Sequence, residues 1–536
     1  MSRKSLNFLE LYATCFQEKV AKNITNITKR SLRYGRDDNR KIASGLAMAK
    51  EGLDSSLRWN DEEDCRAPLA MTTFCLYNTF MRKFIAILAA EAARALSQIT
   101  KRGSGSALPG LVAQKVDPNI ITKLANKLPG GVILVTGTNG KTTTAKMLAG
   151  ILEAAGHKVI YNFSGSNLSR GIASFLIQHT NFWGTRMDGN IGLFEVDEAT
   201  MPEIVALVQP KAILVTNLFR DQLDRYGEVD KTAAIIGHAL ELCPDAKVIL
   251  NADDPLVASL SHYNKNVLYF GIDDDYKTLS KGAIDSRNCL SCGAELDFNP
   301  RFFGHLGNYI CPRCGAKRPS LDYSLSNLSF TVEDSKATLN LPFGKTDISI
   351  QLPGLYNLYN ALAAAAISDY LQIPSGIIAH TLGTISAAFG RMEKIKTNDG
   401  KNLFLMLVKN PTGFTQTIET LTFDKKPKNL LIALNDNFAD GTDVSWIWDT
   451  EMEVVKNIVE SVIVSGIRGE DMQLRLKYAD YDMSKVTLEK DLSKALELGM
   501  SKTAAGETLY ILPTYTAMLA LRRNLSDLGL VKGFLE

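Results

Sequence analysis

A chain of 536 residues, 45% apolar and 22% charged, has the composition of an ordinary globular protein and the length for two to four domains. Its net charge of +2, without acidic or basic runs, gives no global field for nucleic acid or a membrane surface. The longest apolar stretches, such as NLLIALN, are too short to cross a bilayer. The N-terminal MSRKSLNFLELYATCFQEKV lacks the apolar core and small-residue cleavage site of a signal peptide, so a cytoplasmic location is expected.

In chain order, residues 1–80 come first as an extension of unknown role, polar and turn-like, with no sustained period. Met81 can serve as an initiation site, which would make these 80 residues an added segment. MRKFIAILAAEAARALSQITKR then predicts a helix, apolar on one face and basic on the other. Packing on its own domain is the plain reading; attraction of the basic face to an anionic membrane surface is the other. After GSGSALPG, short apolar runs alternate with helical patterns: GVILVTG, KVIYNF, IGLFEVD, AILVTN, KVILNA, VLYFG. That rhythm predicts an α/β domain with a mostly parallel sheet. Near residue 286 it is broken by a cysteine-rich insert, after which alternating strands and the helix NLYNALAAAAISDYL follow. From about 396 a second series, NLFLMLV, NLLIALN, SVIVSG and TLYILPT, predicts a separate C-terminal α/β domain. The expected division is therefore 1–80, an ATP-binding domain over 81–395 that includes N-terminal helices and carries an insert at 286–318, and 396–536.

The stretch GVILVTGTNGKTTTAKMLAGIL supplies a buried strand, a glycine turn and an amphipathic helix. Gly137 and Gly140 permit a close backbone approach, and Thr138 and Asn139 lie between them. Backbone N–H groups at the helix start, through Thr143, would face phosphates, helped by the helix dipole. Lys141 can reach the terminal phosphates, and the Thr142 hydroxyl can ligate Mg²⁺. The alternative is a glycine turn without a ligand, which the strand–loop–helix context disfavours.

Cys289-x-x-Cys292 and Cys311-x-x-Cys314 form two knuckles separated by eighteen residues. Each can offer two thiolates to adjacent corners of a tetrahedron, and Gly293 and Gly315 suit the turns. A closed Cys₄ site has no open position, so a structural zinc is expected. The other four cysteines, Cys15, Cys65, Cys75 and Cys243, are scattered, and neither group forms a disulfide framework. A nucleic-acid-binding ribbon lacks support, because RCGAKR is basic but has no aromatic platform beside it.

The G-x-x-G-K-T spacing resembles that of the Mur ligases, ATP-dependent enzymes that join an amine to a carboxylate through an acyl phosphate. Further segments resemble the family in the family's order from about 129 to 395. FEVDEA resembles the segment whose glutamate holds a second metal, which implies Glu195 as a magnesium ligand, with Asp197 and Glu198 nearby. VTNLFRDQLDRYGE and LNADDP follow, the latter implying Asn251 and Asp254 beside adenine and ribose. LPGLYNLYNALAAA implies Asn357 and Asn360 near the nucleotide, and FGRME implies Arg391 on the phosphates. There are departures. Gln222 and Tyr356 stand where the family has histidines, Gly237 where it has a carbamylated lysine, and LVKNPTG over 407–413 where amino-acid-adding members have D-Y-A-H.

A Mur ligase core with an inserted Cys₄ ribbon resembles the MurT branch, the synthetase subunits of lipid II isoglutaminyl synthases, as do KNPTG, LNDNFADGTDVSWIWD and SGIRGEDMQLRLKYA. This resemblance runs from about Met81 to near the C-terminus. It implies phosphorylation by ATP of the D-glutamate α-carboxylate in the lipid II stem peptide and attack by ammonia to give D-isoglutamine. It also implies a GatD-type glutaminase as heterodimer partner, and lipid II met at the inner membrane face, with peripheral attachment through that substrate. Lys141 and Glu195 would be catalytic in the ligase site, and Asp443 would complete the partner's Cys–His pair. Asn162 and the following loop to Gly171 could line the substrate or be an ordinary polar loop. The rival readings are an amino-acid-adding or folylpolyglutamate-type ligase, a non-catalytic nucleotide-binding scaffold, and a nucleic-acid-associated ATPase.

Overall fold

The computed structural model describes residues 81–95, 97, 107–162, 167–220, 229–278, 285–385 and 391–531. The chain divides into two units, Met1–Asn78 and Thr79–Glu536, and every described residue belongs to the second. The expected N-terminal extension therefore lies outside the described residues, as do Gln222, the side chain of Arg391, Cys15, Cys65 and Cys75.

The first sheet has nine strands: β1 (Val132–Thr136), β2 (Val159–Tyr161), β3 (Ile191–Glu195), β4 (Ala212–Val215), β5 (Lys247–Asn251), β6 (Val267–Ile272), β9 (Tyr323–Phe330), β10 (Ser335–Leu341) and β11 (Gly344–Ile350). Their spatial order is β11-β10-β9-β6-β5-β4-β1-β3-β2. From β2 to β9 all neighbours are parallel, while β10 and β11 are antiparallel. β1 reads VILVT and is buried at every position, as expected of a central strand covered on both faces. One face carries the helices Lys141–Ala154 and Leu355–Tyr370; the other is covered by Ile120–Ala125, Ser169–Gln178, Met201–Val208 and Val229–Glu241. Leu355–Tyr370 is buried nearly all round, and its run of alanines (Ala361 and 363–366) lets it lie close on its neighbours. The chain leaves β1 for β2, returns to β3 beside β1, then crosses to β4 on its other side. That reversal opens a crevice at the carboxyl end of β1, where the glycine turn expected to hold phosphates lies.

The second sheet runs β12 (Arg391–Lys396), β13 (Asn402–Met406), β17 (Thr508–Pro513), β14 (Lys428–Ala433), β15 (Val459–Ser465), β16 (Val486–Leu488), parallel except for the edge strand β12. Helices Leu492–Lys502 and Tyr515–Asp527 cover one face. The other, under Pro411–Thr420 and Gly469–Tyr478, joins the core of the first sheet without a break. The cysteine insert is a hairpin, β7 (Asp297–Phe303) with β8 (Leu306–Ile310), flanked by the two knuckles. The α/β class, the mostly parallel first sheet and the C-terminal α/β domain are as the sequence leads one to expect. The helical pattern from Met81 is a helix over 81–95. The alternating strands β9 to β11 extend the first sheet beyond β6, a pairing that alternation alone does not specify.

Candidate active site

Gly137 (φ +120°) and Gly140 (φ +89°) occupy the left-handed region, where a side chain is strained. Space excludes one as well: a Cβ on Gly140 would lie 2.1 Å from Asn360 Oδ1, and one on Gly137 2.4 Å from Thr216 Oγ1. The loop is tied to the end of β4. Thr138 N donates to Asn217 O at 2.8 Å, and Asn139 N to Asn217 Oδ1 at 2.9 Å. Thr216 Oγ1 donates to Asn139 O at 2.7 Å, and Phe219 N to Thr138 Oγ1 at 3.0 Å. These bonds fix the turn that opens the helix Lys141–Ala154, whose first N–H groups have no partner inside the helix.

Lys141 Nζ folds back on Gly137 O and pairs with Glu198 Oε1 at 2.8 Å, both side chains largely buried. Thr142 Oγ1 donates to Glu195 Oε2 at 2.9 Å, and Tyr161 OH to Glu195 Oε1 at 2.7 Å. Glu195 is fully buried; its backbone N–H donates to Asn162 Oδ1 at 2.8 Å, and Asn162 Nδ2 donates to its carbonyl at 3.0 Å. A buried carboxylate faced by two hydroxyls is an all-oxygen donor set of the kind that suits Mg²⁺. Lys141, Thr142 and Glu195 are thus brought together. Glu198 and Tyr161 join them; the sequence marked Glu198 only as a nearby carboxylate and gave no signal for Tyr161.

Asn251, Asp254, Asn357 and Asn360 are all nearly or fully buried. Asn251 Nδ2 donates to Thr216 O at 2.9 Å. Asp254 caps the short helix Pro255–Ser259 and accepts from Leu218 N at 2.8 Å. Asn360 Oδ1 accepts from Thr144 Oγ1 at 3.2 Å, and Asn357 Nδ2 donates to Pro353 O at 2.8 Å. Asn251, Asp254 and Asn360 thereby bond to Thr216, Leu218 and Thr144, which adjoin the loop, while Asn357 supports Asn360. Asp253, between Asn251 and Asp254, was passed over in the sequence. Burial pushes its carboxyl up, against the opposing pull of Arg318, Tyr359 and the Ile272 N–H. Burial also pushes the Tyr356 phenol up from its ordinary value. At Gly237 a Cβ would lie 2.6 Å from Tyr263 Cε2, so that ring fills the space a side chain would need.

The second sheet reaches the loop through the segment after β13. Lys409 Nζ donates to Thr138 O at 3.3 Å and Asn410 Nδ2 to Asn139 Oδ1 at 2.9 Å. Asn410 also caps the helix Pro411–Thr420 through Gly413 N. KNPTG carries part of the resemblance in the sequence, but nothing there assigns Lys409 or Asn410 a contact with the loop.

The acidic positions after β14 have different fates. Asp440 is buried and accepts from Thr516 N at 2.7 Å and from Thr516 Oγ1. Asp436 faces Arg468, and Asp449 pairs with Arg220 at 2.6 Å. Asp443 is exposed, and the Ser445 backbone N–H, donating to its Oδ1 at 2.8 Å, holds its carboxyl below the usual carboxylate range. Phe438 is 78% exposed and Trp448 46% exposed, leaving an aromatic surface on the segment that carries Asp443.

The four cysteine sulfurs of the insert lie within 4.8 Å of one another, with Cys289–Cys314 and Cys292–Cys311 each at 3.5 Å. Tetrahedral Zn–S bonds place sulfurs about 3.8 Å apart, so the donor set fits. Gly293 N donates to Cys289 O and Gly315 N to Cys311 O, both glycines at positive φ. The Cys314 backbone N–H, foremost, holds the Cys311 thiol down to about 6. No helix among the described residues is long and apolar enough to cross a membrane.

Residues 407–518 match the MurT ligase C-terminal family and 135–297 the Mur ligase middle domain. The lipid II isoglutaminyl synthase (glutamine-hydrolyzing) subunit MurT of Streptococcus pneumoniae is 37% identical over 443 residues, spanning 81% of this chain and 95% of that protein. The Staphylococcus aureus subunit of the same name is 34% identical over 450 residues, 83% and 98% of the two chains. Among solved structures, a pseudomurein peptide ligase type C from Methanothermus fervidus aligns with a TM-score of 0.59 at 24% identity, over 77% of this chain and 81% of that one. MurF ligase from Thermotoga maritima in complex with ADP aligns at 0.55 and 13% identity, over 77% and 84%. These structural likenesses speak to the fold, which is that of the Mur ligases. With that fold, a C-terminal domain of the MurT type and relatives above 30% identity over most of their length, the chain belongs to the MurT family of lipid II isoglutaminyl synthase subunits.

Proposed function

We propose that this chain is the synthetase subunit of a lipid II isoglutaminyl synthase, converting the D-glutamate α-carboxylate of the stem peptide to a carboxamide at the expense of ATP. The observation that carries the reading is the phosphate loop joined to the segment 409–410 of a MurT-type C-terminal domain. Phosphates entering the loop would draw Lys141 away from Glu198, and the ammonium would neutralise charge on the transferring phosphoryl group. Thr142 and Glu195 would hold Mg²⁺, which supplies further neutralisation there. Transfer of the phosphoryl group to the α-carboxylate oxygen gives an acyl phosphate and ADP. Ammonia then attacks the carbonyl carbon, phosphate departs, and a proton is lost from nitrogen.

The nitrogen donor is ammonia released from glutamine by a GatD-type partner. Exposed Asp443 would orient that partner's imidazole, and Phe438 and Trp448 would pack against it. The Cys₄ knuckles would hold a structural Zn²⁺ with no open position for catalysis. Contact with the membrane would come through the lipid substrate. Release of ADP tests the reading: with ammonium it should depend on lipid II and need no partner, and with glutamine it should need the partner. ADP release that instead follows an added amino acid would return the chain to the amino-acid-adding ligases.

A further inference from the structure

The cysteine hairpin has two ends of opposite character. Its metal end is part-exposed: Cys314 and Leu290 are exposed, while Cys289 and Cys311 are buried against Ala258 and Tyr309. Its tip is buried: Phe302, His305 and Leu306 are fully enclosed and Phe303 nearly so. Phe302, Phe303 and Leu306 pack into the same core as Ile133 and Val135 of β1. A tip that only filled space would need no polar partners, yet this one carries several. Gly307 N donates to Asp253 O at 2.9 Å. Arg318, four residues past Cys314, donates to Asp253 Oδ1 at 2.7 Å and to Ile272 O at 2.8 Å. His305 Nε2 lies 3.4 Å from Asp254 Oδ1, both side chains fully buried. Neither ring nitrogen of His305 makes a hydrogen bond, and the ring is held by packing on Phe219, centroids 4.6 Å apart.

Both aspartates lead to the nucleotide side of the fold. Asp254 accepts from Leu218 N at 2.8 Å, and the next residue, Phe219, is bonded through its N–H and its carbonyl to the Thr138 hydroxyl of the phosphate loop. Phe303 stacks on Phe219 at 5.8 Å. Asp253 accepts from Tyr359 OH at 2.7 Å, on the helix that carries Asn357 and Asn360.

We propose that the ribbon is the floor of the nucleotide site, and that His305 and Arg318 are positioning residues through which the metal-bound hairpin holds the turn 251–254 and the phosphate loop. The inference rests on the nucleotide-site reading above. A two-stranded hairpin is marginal alone, and a structural metal contributes folding energy directly. Without the metal the tip withdraws, buried Asp253 loses its guanidinium partner, Asp254 loses the ring packed beside it, and the loop loses its backing.

The test is ADP binding to the full chain with Mg²⁺, by calorimetry well below the unfolding temperature. His305→Ala, Arg318→Met and wild type stripped of metal by chelation are compared with Asp297→Asn, an exposed control on β7. The first three are expected to weaken ADP binding about tenfold, within the usual range of coupling between sites. Amide exchange over 136–143 should rise in them while far-ultraviolet dichroism is kept. The control should match wild type. Unchanged affinity, within twofold, in folded Arg318→Met and in metal-free protein would overturn the proposal. If His305→Ala does not fold, Phe303→Leu takes its place and is read in the same way. Wild type that binds no ADP would refute the nucleotide-site reading itself, a different result from loss confined to the variants.

Discussion

The phosphate loop and the Asp443 segment both carry charged groups with proposed catalytic roles, and they are built in opposite ways. At the loop every charge is already answered: Lys141 by Glu198, Glu195 by the hydroxyls of Thr142 and Tyr161, the backbone by Thr216 and Asn217. Ligand binding there exchanges partners, so its groups are held in a low-dielectric surround without stranding a charge. Around Asp443 the carboxylate is exposed and held locally by Ser445, on a segment whose Phe438 and Trp448 are open to solvent. Exposed aromatics on a segment with an ordered carboxylate suit a surface that another molecule covers. In the proposed account the first region carries its chemistry within one chain, and the second acquires it from a partner.

The largest effect that can break this contrast is expected at Lys141. Lys141→Ala should lower amidation about 100- to 1,000-fold, whichever nitrogen source is supplied, as loss of a charge-stabilising group does. Rates measured with ammonium and with glutamine should fall together. Asp443→Asn should separate them: glutamine-driven amidation falls about 100-fold or more, while the ammonium-driven rate stays within about twofold. Equal losses in both would remove Asp443 from the partner's site. Lys409→Met should raise KM for ATP about tenfold in both assays, since it strips a cation from the loop but leaves Lys141 in place. Trp448→Ala together with Phe438→Ser should weaken partner binding about tenfold or more without altering the partner-free rate, read by titration of the glutaminase.

The smallest effect concerns pH. The Asp443 carboxyl is held below its ordinary value, so it stays ionised as pH falls through the usual carboxylate range. The ratio of glutamine-driven to ammonium-driven rates should therefore not lose an Asp443 contribution between pH 8 and about 5. A decline of that ratio centred within the window, absent in the Asn variant, would mean that the partner raises this carboxyl.

What the sequence disclosed of the site follows from distance along the chain. Gly137, Gly140, Lys141 and Thr142 are legible because strand, turn and helix are contiguous and each glycine answers a local need. The cysteine knuckles are legible for the same reason. The parallel core appears in buried runs such as VILVT and AILV, whose length and flanking turns fix the element type. Lys409 and Asn410 meet the loop across 271 residues, and nothing near either partner announces that contact. Asp253, Arg318 and His305 were missed because their importance arises from burial against one another. The addition of β9 to β11 to the first sheet is likewise a matter of edge pairing, which alternation alone cannot specify.

The most direct measurement is the mass of lipid II after incubation with this chain, ATP, Mg²⁺ and ammonium in the absence of any partner. The account predicts the small mass decrease of a carboxylate becoming a carboxamide, located by fragmentation at the D-glutamate α-position, and its absence in Lys141→Ala. Lipid II of unchanged mass, with an amino acid joined instead to a different acceptor, would contradict it.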